Sequence, residues 1–339
     1  MRVFVLGSGS SGNALLVESC GTRVLVDAGI GPKVARSRLA ELGVDLGPGD
    51  LHGIIATHHH GDHFGHADRL ASAFGAPLYV HPGIGAPAGR HRPRRPDVDR
   101  REDVAPASGI PASGIPASGI PASGIPSSGV GSSGVGSSAP PPTSSAPFAV
   151  EVGATASHRP RRALEEPEKP IEVCRYEIGR AFRIGEITVT TVHVPHDAAQ
   201  VAVRVDDGAR ALGVATDVGR VTSGLVSLLA DCDAALVEAN HCTEMLAFSD
   251  YPDVVKRRVG GGWGHLSNDQ TAELAARLVG SRLARLWLGH LSQSNNTPAR
   301  ALEVVAARAR RIDVDVLPGS TPIALDVRAT KPYQLGLRF

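Results

Sequence analysis

Thr57-His58-His59-His60-Gly61-Asp62-His63 follows directly on the apolar run Gly53-Ile54-Ile55-Ala56. Four metal-capable side chains, His58, His60, Asp62 and His63, therefore fall close together at the end of a predicted strand. A divalent cation asks for about four N or O donors at roughly 2.0–2.2 Å, and a tight turn leaving a strand can aim alternate side chains at one point. His58 and His60, two apart, can face one ion while Asp62 and His63 face a second. The competing reading is a solvated, His-rich turn, but accidental matches to a spacing that asks for two metals are rare.

The run resembles the signature of the metallo-β-lactamase fold hydrolases. Further segments, Val5-Leu6-Gly7-Ser8-Gly9-Ser10-Ser11-Gly12-Asn13, Gly264-His265-Leu266-Ser267-Asn268 and Gly289-His290-Leu291-Ser292-Gln293-Ser294-Asn295-Asn296-Thr297-Pro298, are similar to the YycJ/WalJ-like branch of that superfamily. The resemblance covers about residues 1–85 and 171–320. It implies an α/β (α+β) architecture, an αββα sandwich, interrupted here by a long insertion.

With 339 residues and 42% hydrophobic content, the chain has ample material for a core. A net charge of +1 gives no global footprint for a polyanion, so nucleic-acid binding would need a local patch. Lysine occurs only at Lys33, Lys169, Lys256 and Lys331, so the basic set is nearly all arginine; codon bias explains this as readily as a phosphate partner. Cys20, Cys174, Cys232 and Cys242 show no paired spacing, which reads as reduced thiols. Cys242 lies near the expected site but reads as a buried bystander. The N-terminal apolar run is too short for a signal peptide, and no run of 18 apolar residues occurs. The expectation is a cytoplasmic protein with no membrane partner.

Residues 107–126 are four copies of Ala-Ser-Gly-Ile-Pro and 127–136 two of Ser-Ser-Gly-Val-Gly, followed by a Pro/Ser run to Pro147. Proline at every fifth residue defeats helix and ladder alike, and the Gly/Ser content leaves too little apolar surface to offset the entropy of ordering. Residues 86–170 are accordingly expected to be a disordered low-complexity insert, with 1–85 and 171–339 forming one domain. Strands are predicted at Arg2–Leu6, Ala14–Glu18, Thr22–Val26, Gly53–Ala56, Pro77–Val80, Glu186–Val192, Gln200–Asp206, Ala211–Ala215, Ala234–Val237, Leu283–Leu288 and Asp313–Val316. Helices are predicted at Val34–Leu42, His66–Phe74, Ser223–Ala230, Asp269–Leu278 and Pro298–Ala309.

Further ligands are expected where predicted strands end and loops converge. His196, Asp217 and His290 meet that condition. The expected assignment is His58, His60 and His196 on one metal and Asp62, His63 and His290 on the other. Asp217 would bridge, because two cations about 3.5–4 Å apart need shared negative charge. His193 stands as an alternative to His196 and His265 as an alternative to His290. His265, on a glycine-rich loop, reads instead as a proton donor approaching the substrate. Asp27, ending Val24-Leu25-Val26, matches the aspartate that the resemblance implies behind the metal ligands; His241 could act similarly. His59, His66 and His81 read as bystanders. The Gly7–Asn13 loop leads into a second strand rather than a helix, which excludes a dinucleotide cradle and leaves a hairpin whose Asn13 could touch substrate.

Two divalent ions, Zn²⁺ first and Mn²⁺ as the alternative, lower the pKa of water towards neutrality. Asp62 would orient the attacking hydroxide and His265 would protonate the leaving group, so Asp62 and His265 are the expected catalytic pair. The resemblance implies a phosphodiesterase, an exonuclease on DNA. Arg257, Arg258, Ser267, Asn295, Asn296 and Thr297 are candidate phosphate contacts. A hydrolase of thioesters, lactones or β-lactams on the same metals is the alternative, and a non-catalytic metal-bound binding protein a third reading.

Overall fold

The computed structural model describes residues 1–85, the backbone of 91–94 and residues 170–328. Strands β1 (Arg2–Gly7), β2 (Ala14–Ser19) and β3 (Thr22–Val26) form an antiparallel meander. Helix α1 (Pro32–Glu41), β4 (Gly53–Ile55), the single turn α2 (Gly61–Phe64), α3 (Ala67–Phe74) and β5 (Leu78–Val80) follow. Next come β6 (His91–Arg94), β7 (Ile171–Arg175), β8 (Phe182–Ile184), β9 (Ile187–Val194), β10 (Gln200–Asp206) and β11 (Ala211–Ala215). The remainder is α4 (Ser223–Ala230), β12 (Ala234–Glu238), α5 (Thr243–Phe248), α6 (Asp253–Val259), α7 (Asn268–Leu278), β13 (Arg285–Gly289), α8 (Pro298–Ala306), β14 (Asp313–Val316) and β15 (Ile323–Asp326).

Among the described residues the strands pair into two sheets, ordered β15-β1-β2-β3-β4-β5-β7-β6 and β14-β13-β12-β11-β10-β9-β8. Strand periodicity sorts the core into three layers. On β1, Val3 and Val5 pack inward against the facing sheet, meeting residues such as Val203, Leu212 and Trp287. The intervening Phe4 and Leu6 turn outward to meet Leu39 of α1 and Leu70 of α3. On β10, Val201, Val203 and Val205 face inward while Ala202 joins the outer layer of α4, α7 and α8. Strands buried on both faces read as continuous apolar runs, as these do. The result is the expected αββα sandwich.

Local chemistry fixes the helix ends. Ser267 and Gln270 form a reciprocal capping box at the start of α7. Thr297 caps α8 ahead of Pro298, and α3 stops at Gly75 in the left-handed conformation. α8 ends at Ala306 rather than Ala309. The sequence pattern did not reveal α2, α5, α6, β6, β7, β8 or β15. These are short, and α6 has no buried residue, so no amphipathic period marks it.

The expected insert lies largely outside the described residues, including the whole of its repeats. Within it, the backbone of His91–Arg94 pairs in parallel with β7. Among the described residues, no helix is long and apolar enough to cross a membrane.

Candidate metal centre

The parallel run β11-β12-β13 and strands β3, β4 and β9 all deliver their carboxyl ends to one place. There the structure assembles the motif residues with His196, Asp217 and His290. Donor atoms of His58, His60 and His196 lie within 4.8 Å of one another, as do those of Asp62, His63 and His290. Asp217 stands between the groups: its Oδ2 is 2.7 Å from His63 Nε2 and its Oδ1 3.8 Å from both His196 Nε2 and His290 Nε2. His193, by contrast, is exposed on β9, whereas His196 is buried.

Three of these side chains leave their strands in the left-handed region, Asp27 at φ 64°, Asp217 at φ 55° and His290 at φ 52°. That conformation costs an ordinary residue about 1 kcal/mol, and such strain clusters where a side chain must be re-aimed for function. Here the residues just beyond β3, β11 and β13 are turned into the centre. Gly29 makes a close approach possible, because a Cβ there would lie 1.7 Å from the Asp62 carbonyl oxygen. The Asn13 N–H donates to that same carbonyl, so the Gly7–Asn13 hairpin is bound to the motif.

Each of four histidines spends one ring nitrogen on an oxygen behind it. His63 Nδ1 lies 2.7 Å from Asp27 Oδ2, and His58 Nδ1 3.1 Å from the Thr57 hydroxyl. His196 Nδ1 lies 3.0 Å from the Gly264 carbonyl, and His290 Nδ1 3.2 Å from Glu238 Oε2. This fixes ring orientation and turns the second nitrogen towards the shared centre. His58 Nε2 and His290 Nε2 are buried there without a hydrogen-bond partner among the described residues. Orphaned imidazole nitrogens facing buried carboxylates are a donor set that fits a divalent cation.

The electrostatics agree. Burial alone would raise the Asp217 carboxyl, but His290 and His63 hold it well below the usual carboxylate range. Burial would lower His290, yet Asp217, Asp62 and Glu238 raise it to about 10. His63 is likewise raised by Asp217 and Asp27 against its burial. The carboxylates thus draw positive charge into the centre. His58 goes the other way, lowered by burial and by the neighbouring His63.

His265 also reaches this centre, with Nδ1 3.1 Å from Glu238 Oε2 and 3.4 Å from Asp217 Oδ1. Asn13 Nδ2 sits 2.8 Å from His63 Nε2, inside the cluster. His241 is buried behind it, pushed down to about 4 by burial, and no hydrogen bond joins its ring to the other histidines among the described residues. Asn295 lines the pocket. Asn296 instead spends its amide on the Ala239 carbonyl and on Asn268, bracing the loop below. Ser267 and Thr297 are used as helix caps.

Two acids escaped the sequence reading. Glu238 is fully buried at the end of β12, where its Oε1 accepts the Val218 and Leu266 N–H groups and its Oε2 serves both His265 and His290. The signal was a lone acid closing the apolar run Ala234–Val237. Asp197 directly follows His196, lies 3.1 Å from its Nε2, and is held by Arg258. Over the centre opens a cavity of about 390 Å³ whose wall includes Tyr251, Arg258, His265, Gln293 and Asn295.

The sequence matches the Metallo-beta-lactamase superfamily over residues 7–155 and the Beta-lactamase superfamily domain over residues 143–290. Its fold is similar to that of the metallo-beta-lactamase fold protein YhfI from Bacillus subtilis, with a TM-score of 0.55, 13% identity, and coverage of 96% of this chain and 99% of that one. The chain belongs to the metallo-β-lactamase superfamily of metal-dependent hydrolases. Within it the chain falls in the YycJ/WalJ-like branch. It is 26% identical to Exodeoxyribonuclease WalJ of Streptococcus pneumoniae serotype 2 over 313 residues, covering 92% of this chain and 89% of that protein. It is 25% identical to Exodeoxyribonuclease YycJ of Bacillus anthracis, covering 86% and 83%.

Proposed function

We propose that this chain is a dinuclear-metal-dependent phosphodiesterase that removes nucleotides from DNA ends in the cytoplasm. The observation that carries the reading is the convergence of His58, His60, His196, Asp62, His63, His290 and Asp217 beneath a polar, open cavity. The printed names of the two relatives, both exodeoxyribonucleases, support DNA as substrate. Four free cysteines accord with a reducing compartment.

His58, His60 and His196 would hold one cation and Asp62, His63 and His290 the other, with Asp217 shared between them. Zn²⁺ suits this imidazole-rich set, and Mn²⁺ is the alternative. Bound cations supply Lewis acidity and acidify water. Asp62 reaches the cavity wall, where its carboxylate accepts a hydrogen bond from attacking water and sets its direction. Arg258, also on that wall, holds a non-bridging phosphate oxygen. His265 keeps Nδ1 on Glu238 and leaves Nε2 to protonate the departing sugar oxygen as the P–O bond breaks.

The test is elemental analysis of the purified protein, then one cleavage panel of single-stranded DNA, duplex DNA, RNA, nitrocefin and a thioester, with and without chelator. Two bound cations and chelator-sensitive loss of DNA ends are expected. Turnover confined to the thioester or nitrocefin would replace this reading with a small-molecule hydrolase.

A further inference from the structure

The excursion between β12 and α7, residues 243–264, is built unlike the rest of the chain. α6 buries no residue and α5 buries only Leu246. The three most exposed large apolar side chains among the described residues, Phe248 at 90%, Val254 at 65% and Trp263 at 55%, lie in this excursion, while Val34, Val279 and Leu302 are exposed elsewhere. Large apolar groups left in the open along one segment mark a contact surface rather than a core. The other tryptophan, Trp287, is fully buried in the inner layer.

Trp263 is tied to the candidate metal centre through its neighbours. One residue on, the Gly264 carbonyl orients His196, and two residues on stands His265, whose N–H donates to the Val259 carbonyl at the end of α6. A Cβ on Gly264 would lie 2.1 Å from the Arg258 carbonyl oxygen, so this loop is pressed against α6 and has little room to shift. From the other side Arg220, three residues after Asp217, places its guanidinium 5.4 Å from the centre of the Trp263 ring. The ring meets a cation on one side, and the residue as a whole remains exposed.

The charges around the ring are ordered as well. Lys256, Arg257 and Arg258 occupy the last turn of α6, beside the loop, whereas its acid Asp253 sits in the first turn. Lys256 is bound to the Ala247 carbonyl and Arg258 to Asp197. Arg220 and Arg257 have no acidic partner among the described residues. Arg258 lines the cavity together with Tyr251 and Val259. A flat aromatic face backed by a guanidinium, in the same excursion as an arginine without an acidic partner among the described residues and as the cavity-lining Tyr251, Arg258 and Val259, matches the stacking-plus-phosphate pattern of single-stranded nucleic-acid binding.

We infer that the Trp263–Arg220 pair is a stacking platform that holds an unpaired nucleobase of a single DNA strand at the rim of the cavity, with Arg257 on the adjoining phosphate. The inference rests on the reading of the chain as a DNA phosphodiesterase. It adds a recognition element that the metal centre does not contain, and it makes frayed or single-stranded ends the preferred substrate.

The experiment titrates the full chain with a ten-residue phosphorothioate oligothymidylate and with an abasic strand of the same backbone, following tryptophan emission. A parallel series measures KM and kcat for oligothymidylate cleavage by wild type, Trp263→Ala and Trp263→Phe. Stacking predicts quenching by oligothymidylate, and roughly tenfold weaker binding for the abasic strand. Trp263→Ala should lose about the same factor in affinity and KM with kcat little changed, and Trp263→Phe should recover most of it. Equal affinity for both strands, or an unchanged KM in Trp263→Ala while wild type cleaves DNA, overturns the platform and leaves the phosphodiesterase reading standing. Base-dependent quenching without cleavage leaves the platform and overturns the phosphodiesterase. A Trp263→Ala variant that loses kcat but not affinity shows that Trp263 only shapes the His265 loop, which also overturns the platform.

Discussion

Asp27 Oδ2 lies 2.7 Å from His63 Nδ1, while the other oxygen of the same carboxylate accepts hydrogen bonds from the Thr57 amide and hydroxyl, each at 2.9 Å. One buried acid therefore fixes both the start of the histidine motif and the tautomer of its last member. Asp27→Asn tests this cleanly, because asparagine tolerates the left-handed backbone at φ 64° and can still accept from Thr57. Its NH₂ would face His63 Nδ1 as a donor and drive the ring proton onto Nε2, the nitrogen that should stay free for a ligand. Metal affinity is expected to fall about 10–100-fold with the fold intact. Competition against a chromophoric chelator measures it, and unchanged affinity with a native melting curve would remove His63 from the ligand set.

Asp217 should be less replaceable. His63, His196, His265 and His290 all lie within 3.8 Å of its carboxylate oxygens. Asp217→Asn keeps the shape and the tolerated backbone but deletes the charge that draws cations in. Both Asp217→Asn and His60→Ala are expected to lower bound metal and to reduce hydrolysis by more than the about 100-fold upper range for a partner one step removed. Elemental analysis decides the matter, and two metals with full activity in either variant would refute the assignment.

Asp207, in the turn between β10 and β11, offers a stability test. Burial would raise its carboxyl, but the Ser19 hydroxyl, the Ala209 and Arg210 amides and the Arg210 guanidinium outweigh burial and hold it below the usual range. A carboxyl depressed in the folded state contributes stability that is fully present above its unfolded value, near about 3.9, and is lost as pH falls through the folded value. Asp207→Asn should cost about 1 kcal/mol at neutral pH, a modest figure because the amide oxygen still accepts part of these hydrogen bonds and only the charge is lost. Denaturant melts at pH 7 and at successively lower pH should show the gap to wild type closing only in the acid range. A constant gap down to acid pH would mean that shape, not charge, is what Asp207 contributes.

Among the described residues, every residue of the three core layers and of the metal centre named above lies outside residues 107–147. Removing that repeat-bearing stretch is expected to leave turnover and bound metal near wild type. Loop length enters stability only slowly, at roughly 0.6 kcal/mol per doubling. Calorimetry and metal analysis of the deletion check this, and loss of the metals would give the repeats a part in the site.

The elements legible in the sequence were those in which a single local rule dominates. Thr22–Val26, Gln200–Asp206 and Ala211–Ala215 are strands end to end as expected: the first two are rich in valine, and the short apolar run of the third lies between the Asp206-Asp207-Gly208 turn and Asp217. His58 to His63 could be read because the spacing lies in consecutive residues. Asp217 and His290 could be picked out because each follows a predicted strand, whereas the roles of Glu238 and Asp197 depend on which strand ends meet in space, and the left-handed turns that aim Asp217 and His290 leave no local pattern. α5 and α6 escaped for the opposite reason, since helices with almost nothing buried show no apolar period.

Glu238 Oε2 is shared by His265 Nδ1 at 3.1 Å and His290 Nδ1 at 3.2 Å, so the two histidines stand in near-equivalent positions and only their other contacts separate them. His290 is buried, with Nε2 3.7 Å from Asp62 and 3.8 Å from Asp217. His265 keeps a 22% exposed side chain on the cavity wall and is carried by the loop that closes α6. On the proposed reading these contacts make His290 the ligand and His265 the proton donor, although both belong to one set of possible metal donors with Asp217 and Glu238. His265→Ala is expected to slow DNA cleavage about 10²–10⁴-fold with metal content unchanged. The deficit should shrink for a p-nitrophenyl phosphodiester, whose leaving group needs no proton, because an acid catalyst assists only departure of a poor leaving group. An equal deficit on both substrates would deny His265 the proton, and loss of a metal from His265→Ala but not from His290→Ala would exchange the two roles.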